Sequence, residues 1–206
     1  MIAKPAIDPD TVKGFLHADE GHRLQALAGA ASALGPCLEV GSYCGKSTLY
    51  LGTACQRAGQ LLYAVDHHRG SEEHQPGEAY HDPELVDPVS GRFDSLPEFR
   101  RTLLRAGLED TVVPIVTTSA RAARHWRTPL GLVFIDGGHS REAALTDYRA
   151  WAGHVAPGGV LAIHDLFPDP AEGGQAPIEI YRLALASGLF AALETTRTLG
   201  VLRRLG

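Results

Sequence analysis

Cys37-Leu-Glu-Val-Gly-Ser-Tyr-Cys-Gly-Lys-Ser-Thr48 is an apolar strand that runs into a turn with two glycines and then into a helix start. Leu38 and Val40 suit a buried strand. Gly41 and Gly45 let the backbone approach a ligand closely, and the helix that follows opens with unpaired N–H groups. A Walker phosphate loop needs four residues between its first glycine and Gly-Lys-Ser/Thr, whereas Gly41 and Gly45 enclose three, Ser42, Tyr43 and Cys44. The NTPase reading is one residue short. The dinucleotide fingerprint G-x-G-x-x-G fails as well, because Tyr43 stands where the second glycine would admit a pyrophosphate. What is left is E-x-G-x-x-x-G-x-S, either a turn for another ligand or an ordinary glycine-rich strand-to-helix connection.

Upstream, Leu24, Leu27, Ala28, Ala31 and Leu34 recur at helical spacing over about residues 19–34, and Gly35-Pro36 stops that helix. Downstream, residues 47–58 read as the helix after the turn, and Leu61-Leu-Tyr-Ala-Val-Asp66 as a second strand closed by an acid. In a nucleoside-binding α/β sheet an acid in that place, about 20 residues past the glycine turn, hydrogen-bonds the ribose hydroxyls. Asp66 is the candidate for that role, against a plain loop cap. Residues 67–95 then lose periodicity and fill with His, Glu, Asp, Pro and Gly. A structureless connection beyond ~12–15 residues is a lid, a binding loop or a floppy insertion. The scattered His and acids of this segment show no fixed metal-ligand spacing.

Ser95-Leu-Pro-Glu98 is a capping box opening a helix to about Gly107, and Val112–Val116 a third strand. Ser119 starts a short Ala-rich helix. Leu130-Gly-Leu-Val-Phe-Ile-Asp136 is a fourth strand ending in an acid, followed by Gly137-Gly-His139-Ser140 and a helix through Tyr148 and Trp151. Pro157-Gly-Gly-Val-Leu-Ala-Ile-His164-Asp165 supplies a fifth strand of the same kind. After a last helix over about residues 178–187, two apolar runs, 190–196 and 199–202, read as an antiparallel pair turning near Thr198. Alternating strands and helices predict an α/β, doubly wound, Rossmann-like sheet, seven-stranded and mostly parallel, with a C-terminal antiparallel hairpin.

The 206 residues, 44% hydrophobic and 21% charged, fit one domain over residues 1–206 with 67–95 as its lid. A formal net charge of −5 and the lack of any Lys/Arg run argue against a nucleic-acid partner or a membrane surface, and no segment reaches the ~18 apolar residues of a span. The three cysteines form no C-x-x-C pair, which points to a reducing cytoplasm.

In order along the chain, Glu39-Val-Gly-Ser-x-x-Gly-x-Ser47, Ala64-Val-Asp66, Phe134-Ile-Asp-Gly-Gly-His139 and Ala156-Pro-Gly-Gly-Val160 resemble class I S-adenosylmethionine-dependent methyltransferases. The resemblance is to the small O-methyltransferase branch that acts on natural products and polysaccharide sugars, including the mycobacterial methyltransferases of methylmannose polysaccharides. It implies S-adenosylmethionine as cofactor, a small-molecule or oligosaccharide acceptor and a homodimer. By position, Glu39, Gly41, Ser42, Tyr43, Gly45 and Ser47 would line the methionine end, Asp66 and His67 the ribose, Ser119 and Ala120 the adenine edge, with Asp136 beside the cofactor.

Metal-using relatives hold Mg²⁺ through an acid ending strand four and an acidic pair ending strand five, which maps to Asp136, His164 and Asp165. His164 departs from an acid. The D-G-D of those relatives reads Asp136-Gly-Gly-His139 here, which moves the general base onto His139. An imidazole with a pKa near 6.5 is matched to taking a proton from a hydroxyl, and a cation would acidify that hydroxyl further. The rival readings are a non-catalytic nucleoside-binding scaffold and an NAD-dependent oxidoreductase.

Overall fold

The computed structural model describes residues 4–78 and 80–206. Helix α1 (Ala18–Ala31) is opened by the His17 side chain, which accepts from Asp19 N–H, while Glu20 reaches back to His17 N–H at 3.2 Å. Strand β1 (Cys37–Val40) leads through the glycine turn to α2 (Lys46–Ala58), which ends on the left-handed Gly59, and then to β2 (Leu62–Val65). The remaining order is α3 (Leu96–Ala106), β3 (Val112–Ile115), α4 (Ser119–Ala123), β4 (Leu130–Ile135), α5 (Arg141–Trp151), β5 (Val155–Ile163), α6 (Ala176–Ala186), β6 (Phe190–Ala192) and β7 (Gly200–Arg204).

The seven strands lie in the order β3-β2-β1-β4-β5-β7-β6. The first five are parallel; β7 runs antiparallel to β5 and to β6. The expected hairpin therefore forms, but its second strand enters the sheet and its first becomes the edge. Burial explains the choice: Val201 and Leu202 are fully enclosed, whereas Ala191 and Ala192 are exposed.

Each sheet face carries its own core. Leu24, Leu49 and Phe99 bring α1, α2 and α3 onto one face, and Ala144, Trp151 and Ile180 bring α5 and α6 onto the other. Each such side chain contributes roughly 1.5–3 kcal/mol on burial, which covers both faces of β1 and leaves its four residues wholly enclosed. No helix among the described residues is long and apolar enough to cross a membrane.

Candidate active site

Register puts the site together. Val40 is level with Val65 and with Ile135, and Ile135 with Ile163, so Gly41, Asp66, Asp136 and His164 leave the carboxyl edge of the sheet in one row. The row lies where the chain order reverses about β1, which is where open α/β sheets hold ligands.

In the glycine turn, Gly41 has φ +84°, and a Cβ there would lie 2.0 Å from the Asp136 carbonyl oxygen. The glycine is required by the neighbouring strand end rather than by a ligand, which corrects the sequence reading. Gly45 is the left-handed cap of α2 and also faces protein, with Thr102 3.1 Å from the place of a Cβ. Between them Tyr43, at φ 47°, donates its N–H to Asp66 Oδ2 at 2.9 Å, and His68 N–H reaches Asp66 Oδ1 at 2.7 Å. Asp66 thus fastens the turn and the start of the long connection together. Glu39, expected at the cofactor's methionine end, lines no cleft. It is fully buried, accepts from Ser47 Oγ at 2.5 Å and Thr48 Oγ1 at 2.6 Å, and clamps the first turn of α2. Burial pushes its carboxyl up to about 7 against the pull of those two hydroxyls.

Two clefts open above the row. The first, of about 500 Å³, is lined by Gly41, Tyr43, Asp66, His67, Ser119 and Asp136, all anticipated, and by Thr118 and Asp147, which were not. The second, of about 340 Å³, takes in Ser42, Ser47, Phe15, His139 and Asp165. Tyr43, Glu73, His74, Asp136 and His139 belong to both walls, so the clefts meet there. Ala120 is exposed and on neither wall, because the first turn of α4 directs Ser119 inward instead. Asp147 shares the inward face of α5 with Ala144 and Trp151; burial raises its carboxyl to about 6 although Ser119 hydrogen-bonds it. An acid at the spacing of that apolar face was the available signal.

At the junction His139 places Nε2 3.0 Å from Asp165 Oδ2 and Nδ1 3.2 Å from Glu73. Its pKa rises to about 9, through the Asp165 hydrogen bond first and Glu73 after, and not the ordinary imidazole value expected from sequence. Asp165, at φ 57°, would be raised by burial, but His139 and His164 hold it far below the usual carboxylate range. His164 is 5% exposed, with Nε2 3.0 Å from Glu20 Oε2 and Nδ1 3.2 Å from Asp136 Oδ1. Burial opposes its charge, yet Asp136, Asp165 and Glu20 keep the ring protonated, well above the imidazole range. A protonated ring has no lone pair for a metal, so His164 leaves the expected ligand set. Among the described residues Asp136, His139 and Asp165 instead offer three ligand atoms within 4.8 Å of one another.

The profile of the methyltransferase-domain family matches residues 38–166. The chain belongs to that family. Three solved structures share the fold of this methyltransferase domain. The O-methyltransferase NovP is 16% identical with a TM-score of 0.68, covering 91% of this chain and 80% of its own. The O-methyltransferase TomG from Streptomyces achromogenes, involved in tomaymycin synthesis and solved with SAM, is 17% identical with a TM-score of 0.63, covering 93% and 82%. Cofactor-bound Rv0187 from MTB is 18% identical with a TM-score of 0.63, covering 96% and 85%. At such identities the likeness is one of fold.

The methyltransferase's long connection is not a bare loop. It holds 3₁₀ turns at Glu72–His74 and Pro83–Leu85 and a bridge between Val86 and Phe93, and its residues line both clefts. The capping box expected at its end is absent: Ser95 has helical backbone angles and turns its hydroxyl to His68 Nδ1 at 2.9 Å, while Glu98 pairs with Arg101. Asp94 Oδ1 accepts Leu96 N–H in its place.

Proposed function

We propose that the protein transfers the methyl group of S-adenosylmethionine to a hydroxyl of a small saccharide acceptor, with His139 as general base. The observation that carries this reading is the meeting of two clefts at His139 and Asp136. The first cleft suits the cofactor: Asp66 has lone pairs left for ribose hydroxyls after accepting two backbone N–H bonds, and Ser119 and Asp147 provide polar groups for an adenine. The second cleft takes the acceptor. Transfer breaks the methyl–sulfur bond and forms a methyl–oxygen bond; the sulfur leaves as a neutral thioether and the hydroxyl proton passes to His139.

A divalent cation fits the residues present. Asp136 and Asp165 would hold it, matching the oxygen preference of Mg²⁺, and an imidazole third donor also suits Mn²⁺. When bound it would acidify the acceptor hydroxyl and orient it. Asp165 cannot give its full charge to such a partner and also to His139, so the imidazole's hold on its proton relaxes toward its ordinary range.

The test is calorimetric titration with S-adenosylmethionine, then transfer assays on a panel of sugars and phenols with EDTA-stripped and Mg²⁺-restored protein across pH 6–10. The expected outcome is one cofactor site, methylated sugar, a rate that climbs toward about pH 9 in stripped protein, and a profile moved to lower pH by Mg²⁺. Absence of cofactor binding would overturn the reading as a whole. Transfer confined to phenols would replace the saccharide, and indifference to EDTA would remove the metal.

A further inference from the structure

One wall of the second cleft is the strap Lys13–Leu16, which lies ahead of the residues matched by the family, and the facing wall is the long connection. Lys13 Nζ joins them, donating to Asp82 Oδ2 at 2.5 Å and Glu84 Oε2 at 2.6 Å. Two residues on, Phe15 packs edge-on against Tyr80 with ring centroids 4.9 Å apart. Phe15 is 66% exposed and Tyr80 47%, so both rings stand at the cleft mouth with faces uncovered.

Such rings among acids would ordinarily attract a cation, but Lys13 already fills that place. An anion would meet Glu73 and Glu172 on the same walls. An uncharged ring escapes both objections, and its hydroxyls can donate to those carboxylates.

We infer that strap and connection are the two jaws of the acceptor site, with Phe15 and Tyr80 packing on an uncharged, hydroxyl-bearing ring and Lys13 holding the jaws together. The inference rests on the methyl-transfer reading and deepens it. A pyranose would offer its C–H face and a phenol its π face, and the chemistry of the platform is shared.

The experiment uses the full chain loaded with S-adenosylhomocysteine, and saturation-transfer NMR with methyl α-glucopyranoside and phenol as probes. One probe should bind, identifying the source of the ring, and Phe15→Ala or Tyr80→Ala should weaken it about threefold to tenfold while Phe15→Tyr retains it. Phe15 is too exposed for its truncation to threaten the fold. Lys13→Met should speed amide exchange across residues 80–94 with cofactor-product affinity within about twofold of wild type, and Lys13→Arg should restore protection. Unchanged ring binding in both alanine variants, no binding of either probe to the wild type, or unchanged exchange in Lys13→Met would each overturn the jaws. If S-adenosylhomocysteine itself fails to bind, the methyltransferase proposal falls and the jaws with it; normal cofactor-product binding without ring binding sinks the jaws alone.

Discussion

The rim of the sheet and the jaws above it are fastened by different chemistry. At the rim, Asp66 ties two backbone N–H groups, Glu39 holds two hydroxyls in a fully buried place, and Gly41 is pressed against the Asp136 carbonyl. Moving any of these leaves buried polar groups unmet, at a cost of about 1–3 kcal/mol each. The jaws are joined by Lys13, whose side chain is 36% exposed, as is 78% of that of Glu84. Exposed pairs of this kind contribute about 0–1 kcal/mol, so the jaws part at little cost. The contrast assigns a preformed seat to the cofactor and an adjustable one to the acceptor.

Three substitutions at the rim and junction sharpen that contrast. The largest effect is expected where the clefts meet. His139→Ala should lower methyl transfer by ~10² to 10⁴ while S-adenosylmethionine affinity, read by calorimetry, stays near wild type. The same residue sets a stability signature. Its folded pKa, raised to about 9 from 6.5, means that the stabilisation from its acidic partners is complete below about pH 6.5 and lost as pH rises through about 9. Melting curves of His139→Ala should lack that loss. Full transfer rates in the variant would end the base assignment.

A smaller effect belongs to the cofactor seat. Asp66→Ala should weaken S-adenosylmethionine about tenfold to a hundredfold, since a charge-assisted hydrogen bond contributes ~1.5–3 kcal/mol. The acceptor side should be spared, so ring binding measured by NMR should change much less. Equal losses at both seats would mean that Tyr43, which Asp66 holds, couples them.

The smallest effect concerns a group on neither wall. Glu39 carries a pKa raised to about 7 by burial, so its contribution to stability is greatest below the ordinary carboxyl range and declines as pH rises through about 7. Glu39→Gln, which cannot ionise, should flatten the fall in melting temperature between pH 5 and 8 by on the order of a few degrees. An identical pH profile in the variant would show that Glu39 does not carry the strain assigned to it.

The elements were legible because their signals are local. Hydrophobic alternation and helical spacing located the strands and helices, and an acid or histidine at the end of β2, β4 and β5 could be placed at one rim once the strands were taken as parallel. Thus Asp66, Asp136 and Asp165 were found from sequence. Asp147 and Glu20 were missed, though each stands as an acid on the apolar face of its helix.

What only the tertiary structure decided depends on partners remote in the chain. Gly41 is explained by a carbonyl of β4, and the charge of His164 by Glu20, 144 residues away. Whether His139 starts with or without its proton turned on Asp165 and Glu73, which no spacing rule brings to it. The strap was silent in sequence because Lys13 and Phe15 acquire meaning only across the cleft from Asp82 and Tyr80. Local pattern fixes which way a backbone runs, whereas the ionisation and orientation of a side chain follow from the field and packing of groups that folding alone brings near.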